Sequence, residues 1–224
     1  MPEKVVIGKA ELWLGDCLEV LPTLEVYDLV LTDPPYGIGE SKKSTIRTNA
    51  AKPSEIWRLC RPTNYEKTEW DDSPVDYDSL QIIISKAHKS IIWGGNYYGL
   101  PASSKWLVWD KQNTGDFADC ELAWTNLPGA VRIFRHMWNG MMRASEKDVK
   151  RIHPTQKPIK LMEWCLSHAP QAKNILDPFM GSGSAGIAAM NLGKTYTGIE
   201  KEPSYFYAAC KRIEDAQRQG RLFE

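Results

Sequence analysis

Lys173-Asn174-Ile175-Leu176-Asp177-Pro178-Phe179-Met180-Gly181-Ser182-Gly183-Ser184-Ala185-Gly186 decides the fold. Lys173 to Asp177 reads as a short buried strand ending in an acid. A glycine loop follows, and an alanine-rich helix is expected to Leu192. Thr195 to Ile199 is the next strand, ending at Glu200, and Pro203 opens a last helix with Tyr205, Phe206, Ala209 and Ile213 facing inward. Strand, loop, helix and strand in this order require a parallel crossover. The expected class is therefore α/β, a doubly wound, mostly parallel sheet.

Taken literally, Gly181-Ser182-Gly183-Ser184-Ala185-Gly186 satisfies the dinucleotide fingerprint. Glu200 lies near the ~20-residue offset of the ribose-binding acid. A ribose-bearing ligand follows. Asp177-Pro178-Phe179 lengthens the loop and puts a carboxylate beside it, which repels phosphate and welcomes an ammonium group. S-adenosylmethionine carries a ribose, an ammonium and a cationic sulfonium, and no phosphate. It fits better than NAD.

Working outward, Tyr27 to Leu31 reads as a second buried strand, stopped by Thr32-Asp33-Pro34-Pro35-Tyr36-Gly37. The prolines lack backbone N–H groups and fix φ, and Pro34 keeps Asp33 out of the helical region. The result is a stiff corner at a strand end. It suits a planar exocyclic amine: the Asp33 carboxylate and the Pro34 carbonyl accept its two N–H groups, while Tyr36 stacks on its ring. Alone, the tetrapeptide is equally compatible with an ordinary turn.

The 224-residue length suits one domain with a real core. Neither a signal peptide nor a membrane-length apolar run is seen, and five scattered cysteines without paired spacing fit a reduced, cytoplasmic protein. Lysines plus arginines equal aspartates plus glutamates at 28 each, so contacts to nucleic acid must come from local patches. One such patch lies in the aperiodic stretch from Ile38 to about Pro74, with seven basic residues against three acidic between Glu40 and Lys67. Loops this long are functional or solvated insertions. A second is Arg132 to Arg151, six basic against two acidic, expected to be irregular and interleaved with Trp138, Met141 and Met142. For those three apolar residues, core or interface packing is the simpler reading.

Glu11 to Leu14 is expected as a strand, followed by a turn and a short helix through Leu21. Asp16, just past that strand, either caps the helix or meets a ligand; taken alone, capping is the simpler reading. Asp76 to Lys89 is expected to be an amphipathic helix with Leu80, Ile83, Ile84 and Ala87 on one face, and Ser90 to Trp93 a strand. Trp106 to Lys111 is another strand, and Cys120–Trp124 and Ala130–Phe134 an edge pair joined at Pro128-Gly129. Pro158 begins a helix to about His168. His153 has no second ligand at metal spacing, so no metal site is expected.

With both anchors present, the chain resembles an amino-group DNA methyltransferase. Asp33-Pro34-Pro35-Tyr36 matches that family's catalytic tetrapeptide, and Asp177-Pro178-Phe179-Met180-Gly181-Ser182-Gly183 resembles its cofactor loop. Catalytic corner first and cofactor loop last resembles the permuted β group. His153-Pro154-Thr155-Gln156-Lys157-Pro158 and Trp93-Gly94-Gly95-Asn96 sit where that group has similar stretches, and the resemblance runs from about Leu12 to Ile213.

The resemblance implies a single Rossmann-like, S-adenosylmethionine-dependent methyltransferase domain over residues 1–224. It also implies a loop over about 38–74 and a short target-recognition segment over about 132–152. Asp33, Pro34, Pro35 and Tyr36 would hold the amine of a flipped base. Glu200 would bind the ribose, Asp177 the methionine ammonium, and Phe179, Gly181, Ser182, Gly183 and Ser184 would wrap the methionine end. Asp16 would contact the adenine of the cofactor, and Thr155 and Lys157 its carboxylate, a surface role for Lys157 staying open. Asp in the first position looks more like adenine-N6 than cytosine-N4 enzymes. Double-stranded DNA is the implied partner, read through a second subunit (a homodimer) or the 38–74 loop. The rivals are an NAD-linked oxidoreductase, an idle DNA-binding module, and RNA or protein methylation.

Overall fold

The computed structural model describes residues 2–38, 71, 73–113, 118–138, 143–146 and 151–221. From Ile159 onward helices and strands alternate, as the glycine-loop unit requires. The strands are β1 (Glu3–Ile7), β2 (Ala10–Leu14), β3 (Tyr27–Thr32), β4 (Ala87–Trp93), β5 (Trp106–Asp110), β6 (Cys120–Thr125), β7 (Arg132–Arg135), β8 (Asn174–Asp177) and β9 (Thr195–Glu200). The helices are α1 (Cys17–Val20), α2 (Tyr77–Ser85), α3 (Ile159–Ser167), α4 (Ser184–Asn191) and α5 (Pro203–Arg221). Among the described residues the nine strands form one sheet, ordered β1-β2-β9-β8-β3-β4-β6-β5-β7. β2, β9, β8, β3 and β4 pair in parallel, whereas β1 and β6 run against their neighbours.

β3 is central because every residue from Leu29 to Thr32 is buried. A strand covered on both faces need not alternate apolar with polar, and its side chains part by period two. Leu29 and Leu31 join the core under α3, α4 and α5, together with Ile91, Trp93 and Ile175. Val30 points the other way, with Leu176 and Ile199, onto Val20 and Leu21 and onto Ile83 of α2. Gly186 lets α4 seat closely: a Cβ there would lie 2.8 Å from the Tyr196 ring and 3.0 Å from Ile213. That is the close helix–strand approach for which the third fingerprint glycine is needed.

Three expectations are corrected. The helix after Asp76 ends at Ser85, and Ala87 opens β4. Ala87 and Lys89 pair in parallel with Tyr27 and Leu29, so sheet pairing overrides the helical pattern of that stretch. Cys120–Thr125 and Arg132–Arg135 are not paired with each other. Both hydrogen-bonding edges of β6 are taken, by β4 and β5, and β7 docks in parallel on the far edge of β5. Arg132 and Arg135 stand exposed on β7, the charged covering expected of an edge strand. Consequently the segment expected to be irregular from Arg132 begins as regular strand. Within it Trp138 is 4% exposed and donates its indole N–H to the Gln156 carbonyl (3.1 Å), which makes it core. Met141, Met142 and most of the 38–74 stretch lie outside the described residues.

Candidate active site

Because β2, β9, β8, β3 and β4 are parallel, their carboxyl ends open on one edge of the sheet. An α/β sheet binds ligands there, where the order of connections reverses. β9 is the hub. Its end accepts the Gly15 N–H through the Glu200 carbonyl (3.0 Å) and the Met180 N–H through the Ile199 carbonyl (2.9 Å). The Glu200 carboxylate then accepts the backbone N–H groups of Gly181 (2.9 Å) and Glu202 (2.8 Å). Gly181 and Gly183 sit at φ +50° and +74°, in the left-handed region that favours glycine.

Thr32, the last residue of β3, donates its hydroxyl to Asp177 at the end of β8 (2.7 Å). The same carboxylate accepts the Phe179 N–H (3.2 Å) and the Tyr196 hydroxyl (3.1 Å). The catalytic corner and the glycine loop are thereby tied at their roots. They line one cavity of about 620 Å³, shared by Asp16, Asp33, Asp177, Phe179 and Glu200. Thr155, Lys157, Gly181, Ser182 and Ser184 also line it. Sequence-distant residues are therefore brought to one cavity, but Pro34, Tyr36 and Gly183 of the expected set are not among those lining it.

Individual placements refine the expectations. Asp16 is the N-cap of α1, accepting the Leu18 N–H (2.9 Å), and it pairs with Lys201 (3.1 Å). Thr155 lies against His153, whose Nδ1 accepts the Thr155 N–H (3.2 Å). Burial, with Lys157 and Arg151 nearby, depresses the His153 pKa to about 3 and keeps the ring neutral. Beneath the glycine loop, Arg212 of α5 donates to the Ser182 carbonyl and pairs with Glu146 (3.2 Å), which accepts the first amide of α3 (3.0 Å).

Lys157 is not on the surface. It is 7% exposed, with its Nζ 2.5 Å from Asp33 Oδ2 and 3.1 Å from Glu121 Oε2. The other Asp33 oxygen accepts the Tyr36 hydroxyl. Desolvation works against the ammonium, but Asp33 and Glu121 outweigh it and hold the Lys157 pKa above its ordinary value. Glu121 is pulled down to about 2, burial being overcome by Lys157 and Lys111. Desolvation raises the Asp33 carboxyl despite the lysine. Tyr36 stacks on Tyr97, with ring centroids 4.8 Å apart. Tyr98 donates its hydroxyl to the carbonyls of Pro34 (3.2 Å) and Pro35 (2.8 Å). The chain returns to this corner from the 38–74 stretch: Gly37 N–H donates to Asp71 (2.8 Å), and Tyr36 bridges to Pro74.

Sequence reading missed Glu121. Its signal was a carboxylate beside the apolar run Leu122-Ala123-Trp124, since an acid drawn half out of water favours a cation beside it.

Burial is the main cause that raises Asp177 and Glu200 to a pKa of about 7 each. Both therefore bind protons more tightly in the folded than in the unfolded chain. Stability is expected to fall as pH rises from about 4 through 7, by up to about 1.4 kcal/mol per pH unit per group. Thermal unfolding of the free protein across this range measures it, and Asp177→Asn flattens the dependence.

Among the described residues no helix is long and apolar enough to cross a membrane, and no group of three His, Cys, Asp or Glu could hold a metal ion.

A mostly parallel sheet with an acid-rimmed glycine loop and a proline corner on one cavity is the Rossmann-like fold of S-adenosylmethionine-dependent methyltransferases. The comparisons carry this to a family. The DNA methylase family model matches residues 65–211, and the chain belongs to that family of amino-group DNA methyltransferases. It is 28% identical to the type II methyltransferase M.HinfI of Haemophilus influenzae, over 90% of this chain and 67% of that enzyme. A shorter match, 38% identical, covers 36% of the chain and 30% of M2.DpnII of Streptococcus pneumoniae. In fold it is similar to the M1.HpyAVI–SAM complex, with a TM-score of 0.56, 21% identity and coverage of 91% and 98%. PvuII DNA methyltransferase, described as cytosine-N4-specific, follows at TM-score 0.54, 16% identity and coverage of 94% and 92%. Family membership removes the NAD-oxidoreductase reading.

Proposed function

We propose that this protein transfers a methyl group from S-adenosylmethionine to the N6 amine of an adenine flipped out of double-stranded DNA. One observation carries the reading. The Asp33 corner and the Asp177–Ser184 loop share a cavity and are joined by the Thr32–Asp177 hydrogen bond. The donor set fits the cofactor. Asp16, Asp177 and Glu200 present carboxylates, matched to a ribose and an ammonium rather than to phosphates.

Bound there, S-adenosylmethionine supplies an electrophilic methyl group on a cationic sulfonium. Asp177 holds the ammonium. Glu200 accepts the ribose hydroxyls on the lone pairs left by Gly181 and Glu202. At the corner, Asp33 and the Pro34 carbonyl accept the two N–H groups of the target amine, drawing its lone pair out of conjugation, and Tyr36 stacks on the base. The flipped base costs a few kcal/mol to extrude, offset by these contacts. In such a transfer the amine nitrogen would bond to the methyl carbon as the carbon–sulfur bond broke, the electron pair leaving with sulfur. The methylated nitrogen is strongly acidic and sheds its proton, so Asp33 positions more than it deprotonates. The Asp-first tetrapeptide supports adenine over cytosine.

Glu200→Gln is expected to weaken cofactor binding by roughly tenfold to a hundredfold. Both Glu200 oxygens already accept backbone N–H groups, so an amide must set its NH₂ against one of them, an unmet donor worth about 1–3 kcal/mol. Calorimetric titration with S-adenosylmethionine reads it; unchanged affinity contradicts the ribose role. DNA recognition is proposed to draw on the 38–74 and 132–152 segments and a second copy of the chain. Sedimentation of free and DNA-bound protein tests the dimer.

A further inference from the structure

Around the buried Lys157, half-buried groups alternate in charge. Lys111 of the loop after β5 pairs with Glu121 on β6. Glu121 lies 3.1 Å from the Lys157 ammonium, and Lys157 lies 2.5 Å from Asp33. In this arrangement the Lys157 ammonium is on one oxygen of the Asp33 carboxylate and the Tyr36 hydroxyl on the other, so the acceptor that a target amine needs already carries a donor on each oxygen. An NH₂ group that approaches Asp33 Oδ2 competes with the Lys157 ammonium for it. A buried ammonium that simply lost its partner would be costly. Glu121 removes that obstacle, because a carboxylate already stands on the other side of the same nitrogen.

Resting on the function proposed above, we propose that Glu121 is a positioning residue for the amine-binding corner. It takes over the Lys157 ammonium when the target NH₂ displaces it from Asp33. The distances differ by well under an ångström, so the transfer needs only a small swing of the lysine tip. Glu121 also sets the charge of the pocket. Lys111 and Lys157 balance Glu121 and Asp33, so losing Glu121 would leave an excess positive charge that opposes a sulfonium and the positive charge developing on the attacked nitrogen. Without Glu121 the lysine would neutralise Asp33 and hold it shut.

The experiment is a double-mutant cycle on methyl transfer to DNA, with wild type, Glu121→Gln, Lys157→Met, the double variant and Glu121→Asp. Thermal unfolding and cofactor titration of each variant separate loss of fold from loss of function. Glu121→Gln is expected to lower kcat at least tenfold and shift the Kd for S-adenosylmethionine less than kcat. Adding Lys157→Met to it should restore at least fivefold of that loss, since the competing ammonium is gone. Glu121→Asp, which keeps the charge, should retain at least a third of wild-type kcat. A folded Glu121→Gln protein with wild-type kcat, or a double variant no better than Glu121→Gln, overturns the inference while wild-type transfer leaves the function standing. A wild-type protein that transfers nothing to DNA overturns both.

Discussion

Asp33→Ala is expected to lower methyl transfer about a thousandfold while leaving the affinity for S-adenosylmethionine within a few-fold. The side chain supplies one of two acceptors for the target amine, and a preorganised charged contact at a reacting centre is worth about 10²–10³ in rate. Positioning is lost as well, because Tyr36 is oriented by its hydroxyl on Asp33. The cofactor contacts proposed for Asp177, Glu200 and Asp16 come from other strand ends and stay in place. Stability should drop by less than the 3–5 kcal/mol typical of a broken buried pair, because Glu121 still faces Lys157. Single-turnover kinetics with calorimetric binding separates these effects. Equal losses in cofactor affinity and rate would mean that Asp33 belongs to the cofactor site instead.

The second large effect comes from a residue that touches no ligand in this account. Gly94, at the end of β4, has φ +67°, and a Cβ there would lie 2.0 Å from Cε1 of the Tyr36 ring. No side-chain atom can occupy that place. Gly94→Ala must therefore expel Tyr36, breaking its stack on Tyr97 and its hydroxyl contact to Asp33. A methyl group at left-handed φ adds about 1–2 kcal/mol of backbone strain. We expect methyl transfer to fall about a hundredfold and cofactor affinity to change little. Activity within threefold of wild type would show that the position of the Tyr36 ring is immaterial.

The parts of the fold legible in the sequence are those fixed by short-range punctuation. β8, the glycine loop, α4 and β9 fall within a residue or two of expectation, because an acid ends each strand and the glycines admit only a tight turn. β3 is equally plain, as its apolar run meets two prolines. Ala87 to Lys89 was not legible. Nothing local in Ala-His-Lys marks a strand; it is one because Tyr27 to Leu29 lies alongside. The partners of β6 and β7 were hidden for the same reason, since a turn signal at Pro128-Gly129 says nothing about β5 inserting between them. Within the site, the carboxylates announce themselves by position at strand ends. The contacts of Asp33 with Lys157, and of Lys157 with Glu121, do not. They join residues far apart in sequence, and only the sheet order brings β6 and the segment before α3 to the corner after β3.

Incubation with double-stranded DNA, RNA and protein in the presence of S-adenosylmethionine labelled on its methyl group, followed by digestion of the DNA to nucleosides, tests the shared pocket most directly. Label in N6-methyladenine is the expected result. Label confined to RNA or protein, or in DNA only at a carbon of cytosine, would contradict a corner built to grip an exocyclic amine of a DNA base. Label in N4-methylcytosine would keep the corner and overturn the choice of base.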